Sequence, residues 1–136
     1  MTCLNVVGVK NINLTFQNCE TGETFGPYAH ELATEELPMW RLYPYSIESL
    51  PGGYVKKKHI SSKVKLKIIR NLAVPLVDYQ GRSQISGQVE YEDGLVYTWV
   101  DAGVTGEAES DTHEVDMECS ARVIDEVLPP GAIANT

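Results

Sequence analysis

Two short stretches of strict alternation constrain this chain more than any other feature. In residues 60–69, Lys63, Lys65 and Lys67 occupy one parity and Val64, Leu66 and Ile68 the other. In residues 112–124, Glu114, Asp116 and Glu118 share one parity, while Val115, Met117, Cys119, Ala121 and Val123 share the other. A period of two belongs to a strand, whose successive side chains point to opposite faces. Each stretch therefore reads as a half-buried strand with one apolar face and one row of like charge.

The rest of the chain extends this pattern. Residues 4–9 are largely apolar and β-branched, and residues 11–17 alternate polar and apolar. Thr21-Gly22-Glu23 predicts a turn and residues 39–43 a short strand. Residues 84–92 place Ile85, Val89 and Tyr91 on one face and Gln84, Ser86, Gln88 and Glu90 on the other. Asp93-Gly94 separates them from a β-rich run at 95–104, which predicts a hairpin with a type I′ turn. Residues 44–53, with Pro44, Pro51, Gly52 and Gly53, predict a loop that reaches to about residue 58. Residues 105–111 predict an acidic loop, and residues 125–136, with Pro129-Pro130-Gly131, a tail without a core of its own. A short helix is expected within residues 71–81, where Pro75 suits a first turn. Residues 30–36 fit either one or two helical turns ended by Pro38 or an extended edge. The expected fold is mainly β: an antiparallel β-sandwich or barrel with one or two short helices, as one domain over residues 1–136.

Composition narrows the function. The 136 residues carry a net charge of −8, which disfavours a free-standing nucleic-acid binder, normally basic on one face. Cys3, Cys19 and Cys119 have no metal-like spacing, so buried free thiols in a reducing compartment are expected. The N-terminus lacks the basic and apolar regions of a signal peptide, and no run is apolar enough to span a membrane. Cytosolic synthesis without membrane association is the expectation. His30, His59 and His113 are far apart, and no phosphate loop, GxSxG or HExxH occurs. No catalytic, metal or cofactor site is expected, and the chain reads as a non-enzyme. The acids Glu107, Glu109, Asp111, Glu114, Asp116 and Glu118 lack EF-hand register, and neighbours on one strand face stand about 7 Å apart, too far to share an ion unaided.

The charged rows are the informative constellation, and they admit three arrangements. Both could be solvated faces. They could pair across neighbouring strands, within one subunit or between two, each opposite pair contributing roughly 0.2–1 kcal/mol. Or the acidic row Glu114, Asp116 and Glu118 could line a lumen, with Lys63, Lys65 and Lys67 at a subunit boundary. Lys56, Lys57 and Lys58 form a separate basic patch, solvated or facing an acidic neighbouring subunit. No aromatic residue interleaves these lysines, as a nucleic-acid groove would require. Trp40 and Trp99 are expected in the core or at an interface, not as exposed platforms.

Several segments resemble the tail tube subunits of contractile-tailed bacteriophages. They are Ala33-Thr34-Glu35-Glu36-Leu37-Pro38-Met39-Trp40, Gly52-Gly53-Tyr54-Val55-Lys56 and Val89-Glu90-Tyr91-Glu92-Asp93-Gly94-Leu95-Val96-Tyr97. Val104-Thr105-Gly106-Glu107, Asp111-Thr112-His113-Glu114-Val115 and Ile124-Asp125-Glu126-Val127-Leu128-Pro129-Pro130-Gly131 continue the likeness. They spread over most of the chain after residue 30, and their order and spacing carry the resemblance. It implies a β-sandwich flanked by a helix. It also implies hexameric rings of the chain stacked into a hollow tube, which passes DNA on ejection. Implied partners are further copies of the chain, a tail sheath protein, and tape-measure and baseplate or neck proteins. The implied location is the virion tail, assembled in the host cytoplasm. Related readings are a hub, terminator or secretion-tube component, and, from a different class, a monomeric β-sandwich binding module.

Overall fold

The computed structural model describes residues 8–108 and 112–129. The expected strand at residues 4–9 lies mostly outside them, as do residues 109–111 of the acidic loop and residues 130–136 of the tail. The described chain forms ten strands: β1 (Val9–Asn18), β2 (Thr24–Leu32), β3 (Met39–Arg41), β4 (Tyr45–Ser49), β5 (Val55–His59), β6 (Ser62–Ile69), β7 (Ser83–Tyr91), β8 (Val96–Ala108), β9 (Glu114–Ala121) and β10 (Ile124–Val127). One short helix, α1 (Leu76–Tyr79), falls where Pro75 suggested it.

Six strands close on themselves in the order β1–β2–β6–β9–β8–β7–β1, every pair antiparallel. Closure removes the unpaired edges that an open sheet would expose. The interior is filled by the apolar parities of the strands: Ile12, Leu14 and Phe16; Val64, Leu66 and Ile68; Ile85 and Val89; Val115, Met117 and Cys119. A barrel of this size is a packed core and not a pore. Cys119 is buried as expected, and burial pushes its thiol pKa up to about 12; Cys19, against expectation, is exposed in the β1–β2 turn.

Two long strands are shared. The first half of β6 pairs with β3 and its end with β2, while β8 pairs with β10 in its first half and β9 in its second. Strand β8 makes its change of partner at a bulge. Between the rungs Ile85–Ala102 and Gly87–Trp99 it carries an extra residue, Asp101 adopts φ 52°, and its N–H donates to Ser86 Oγ at 3.0 Å. At the Val9 end of β1, Trp40 stacks on Tyr97 at 4.1 Å, and its Nε1–H donates to Tyr91 Oη. Trp40 thereby ties β3 to the β7–β8 side; Trp99 is buried beneath it. At the other end, Phe16, Phe25, Tyr28, His30 and Tyr79 pack together, with α1 delivering Tyr79. Both tryptophans thus serve packing.

One open alternative is settled and three expectations are corrected. Residues 30–36 form no helix; the extended alternative holds, since β2 runs to Leu32. Residues 105–108 continue β8 and are not a loop, because Thr105 and Glu107 keep the outward parity and pair with Glu118 and Asp116. The tail begins as a strand, β10, whose Ile124 is buried against β8. The Asp93-Gly94 hairpin forms, but its turn is not type I′. Gly94 N–H donates to Tyr91 O, Tyr91 N–H donates to Leu95 O, and only Gly94 has positive φ. That is the three-residue turn with a glycine bulge.

Candidate assembly surfaces

The two charged rows meet. Strands β6 and β9 pair along their full length, with Lys65 opposite Glu118, Lys67 opposite Asp116, and Lys63 opposite Ser120. Lys63 Nζ reaches Glu118 Oε1 at 2.5 Å, Lys65 Nζ reaches its Oε2 at 3.6 Å, and Lys67 Nζ reaches Glu114 Oε2 at 3.3 Å. Of the three arrangements open to the sequence, the structure contains the cross-strand pairing within one subunit. Alternation explains it: once the apolar parities of both strands turn inward, both charged parities must turn outward side by side. The acidic row is therefore interleaved with cations and is not a bare negative wall. The Lys63 hydrogen bond holds the Glu118 carboxyl below its ordinary pKa, so Glu118 is a fixed anion near neutral pH, unsuited to donate a proton. Across β9's other edge Glu107 stands opposite Asp116, two like charges on one rung.

A shallow hollow of about 420 Å³ lies over this face, lined chiefly by Lys65, Gln80, Thr105, Glu107, Asp116 and Glu118. These side chains are ionic, amide or hydroxyl, with no histidine or cysteine among them. Among the described residues, no group of three or more His, Cys, Asp or Glu could hold a metal ion.

Residues 44–58, expected as a loop, are corrected to an ordered ribbon. Strands β4 and β5 pair with each other and with no barrel strand. Pro51-Gly52-Gly53 is a single 3-10 turn at the tip, closed by Leu50 N–H to Tyr54 O at 2.7 Å, while Ile60 N–H to Pro44 O extends the ladder at the base. Proline and glycine, which suggested a loop, sit at the ends of the ribbon, where a strand tolerates them. Register divides the ribbon into two faces. Tyr45, Ile47 and Ser49 lie with Val55, Lys57 and His59; Ser46 and Glu48 lie with Lys56 and Lys58. The basic patch is thus split, with Lys57 on the more apolar face, its Nζ 4.0 Å from the Tyr45 ring centroid and 5.5 Å from that of Tyr43. Folding supplies the aromatic neighbours that the linear sequence does not place beside the lysines. Every residue of β4 and β5 is exposed, with Ile47 at 60%, Val55 at 66% and Tyr54 at 73% of full exposure.

Elsewhere two clusters of buried polar groups are satisfied locally, while Arg70 Nε is buried without a hydrogen-bond partner. Asn71 N–H donates to Tyr79 Oη at 2.9 Å, Tyr79 Oη lies 2.6 Å from His30 Nε2, and His30 Nδ1 lies 2.9 Å from Tyr28 O. A proton on Nδ1 satisfies the carbonyl and leaves Nε2 to accept from the tyrosine hydroxyl. Burial lowers the His30 pKa, in keeping with that neutral form. Asp78 is fully buried and takes a bidentate pair from Arg82 at 2.9 and 2.8 Å, plus the Ser83 hydroxyl at 2.7 Å. The Arg82 hydrogen bonds hold its carboxyl below the usual range. This cluster fixes α1 to the start of β7. His59 stacks edge-on to Tyr45 on the ribbon and His113 precedes β9, so the three histidines stay apart.

No protein-family model matches the chain, and no curated protein matches it.

Proposed function

We propose that this chain is a structural, self-assembling subunit of a phage tail tube, stacking as rings around a conduit for DNA. The observation that carries this reading is the β4–β5 ribbon. A two-stranded hairpin alone is marginal in water, and this one exposes Tyr45, Ile47, Tyr54 and Val55 on a chain whose barrel is otherwise closed and filled. Such a ribbon gains stability when a neighbour covers it, and a repeating neighbour is the economical choice for a subunit built to polymerise. The segment resemblance supplies the kind of assembly.

A conduit in this reading lies between copies, because the barrel interior is occupied by side chains. A net charge of −8 favours sliding of DNA over adhesion, since phosphates are repelled by acidic surface. The Lys63–Glu118–Lys65 and Lys67–Glu114 pairs favour a role at a subunit boundary or in rigidifying the sheet over a purely acidic lumen. Sheath, tape-measure and baseplate or neck proteins are the proposed partners, and the virion tail the proposed location. A ring that stops at one layer, as in a hub or terminator, uses the same surfaces. The exposed Tyr43, Tyr45 and Tyr54 also suit a monomeric binding module. Negative-stain electron microscopy across a concentration series separates these readings. Hollow filaments of even width are the expected result, single rings favour the hub or terminator, and small particles at every concentration refute self-assembly.

A further inference from the structure

The outer face of β10 and the adjoining part of β8 is a second uncovered surface. Ile124 is buried opposite Trp99, and Glu126, opposite Tyr97, accepts the Tyr97 hydroxyl at 2.7 Å. The alternate parity therefore faces outward: Val123, Asp125 and Val127 on one side, Val96, Thr98 and Val100 on the other. Val100 is 71% exposed, Val127 56% and Val123 48%. Val100 and Val123, each one residue beyond the rung Ile124–Trp99, sit at the fork where β8 exchanges β10 for β9. Three valines standing in water around one carboxylate are an unusual outward face for a strand pair, where polar residues ordinarily alternate out.

The ribbon carries the complement. Its more apolar face presents Tyr45, Ile47 and Val55 around one cation, Lys57. The β8–β10 face presents Val100, Val123 and Val127 around one anion, Asp125. Both surfaces are apolar with a single charge, and the charges are opposite. We infer that the β4–β5 ribbon of one copy lies across the β8–β10 face of the next, with Lys57 against Asp125. This rests on the self-assembly reading above and names the surface that receives the ribbon. The contact is heterologous, two different patches of the same chain, and so generates a ring or a helical stack instead of a closed pair. Within one chain the ribbon pairs with no barrel strand, and its apolar face is exposed.

The test is charge exchange read by sedimentation velocity, paired with crosslinking. Lys57→Glu and Asp125→Lys are each expected to raise the concentration needed for assembly by about tenfold or more, since like charges then meet in a partly desolvated contact. The double variant is expected to return close to the wild-type concentration. Thermal melts check folding, and both positions are exposed in the free chain; Lys57→Gln and Asp125→Asn serve as milder versions. In parallel, a photo-crosslinking benzoylphenylalanine replaces Ile47 in a mixture of normal and nitrogen-15-labelled chains. Mixed-isotope crosslinks to residues 96–100 or 123–128 are expected. Filaments with unaffected single variants, or with crosslinks to another part of the chain, overturn this docking surface and leave the tube reading standing. Crosslinks to a different added tail protein, with none between copies, also overturn it. Wild-type chain that stays monomeric at every concentration overturns both.

Discussion

Reversing Glu118 tests whether the charge ladder acts within one chain. Glu118 accepts from Lys63 at 2.5 Å and faces Lys65 at 3.6 Å, and the Lys63 and Glu118 side chains are each about a third exposed. Glu118→Lys removes both pairs and sets three ammonium groups around one rung. Each cross-strand pair lost costs roughly 0.2–1 kcal/mol, and each like-charge pair created costs a similar amount. Partial exposure argues for the lower half of that range, so the sum is roughly 1–2 kcal/mol. For 136 residues, a loss of 1 kcal/mol lowers Tm by roughly 3 °C, which gives an expected drop of about 3–6 °C. The assay is thermal and urea unfolding of unassembled protein in about 10 mM and about 1 M salt, where the screening length falls from ~30 to ~3 Å. The deficit should shrink by more than half in high salt. Adding Lys63→Glu to Glu118→Lys rebuilds one pair with the signs exchanged and should recover about half the loss. A variant as stable as wild type at low salt, or a deficit indifferent to salt, refutes the ladder. The triple reversal of Glu114, Asp116 and Glu118 would face three lysines with three more. It therefore tests the fold before it tests assembly.

Gly87→Ala is expected to destabilise by roughly 2–4 kcal/mol, measured by urea unfolding followed by tryptophan fluorescence. A Cβ there would overlap the Trp99 ring, 2.6 Å from Cη2, and moving the ring strains its Nε1–H bond to Ile85 O. Stability is expected to fall as pH drops below about 6.5, the unfolded histidine value, because burial lowers the folded His30 pKa. Charging Nε2 turns it into a donor and takes away the acceptor of the Tyr79 O–H, and His30→Phe should flatten the profile between roughly pH 7.5 and 5.5. Arg82→Ala strands the buried Asp78 carboxylate. Its cost should be large at neutral pH and shrink toward roughly pH 3, where protonation removes the charge that Arg82 stabilises.

Strand identity was readable where an apolar parity runs regularly along the segment; β2, broken by Gly26-Pro27, and β10 were not read as strands although His30 and Ile124 are buried. Residues 11–17, 60–69, 84–92 and 112–124 contain most of β1, β6, β7 and β9 because each carries an apolar parity that the barrel interior takes up, although Val123, expected on that face, is exposed and Ile124 opens β10. The ribbon was missed for the complementary reason: neither of its faces is buried, so Tyr45, Ile47 and Val55 stand among serines, lysines and glutamate without a clean apolar row. Its end residues, Pro44 and Pro51-Gly52-Gly53, carried the stronger local signal and suggested a loop. Asp93-Gly94 located the hairpin, but dipeptide chemistry does not set the turn. Tyr91 keeping its rung to Leu95 makes the connection three residues long, and only Gly94 then needs positive φ. The ion pairs were one of three options because strand order is non-local: β6 and β9 are separated by the 44 residues between Ile69 and Glu114, and nothing in either segment names the other.

The same logic bears on where the proposed association would occur. Closing six strands removes the edges of the barrel strands and filling the interior removes the pore, which leaves sheet edges at β3, at β10 and on the β4–β5 ribbon. Pairing the lysine and acidic rows neutralises most of the charge that the sequence displays as two separate stripes. Among the exposed surface that remains are the ribbon, apolar on one face and basic on the other, and the valine-lined outer face of β8 and β10. Both lie outside the ring of strands, and both have the exposed apolar residues that a fold of this size ordinarily covers. A chain that closes its barrel yet leaves these two elements in water has put its unsatisfied surface into parts that can reach a neighbour. That division, a filled ring inside and exposed apolar surface outside it, is consistent with the proposed repeating subunit.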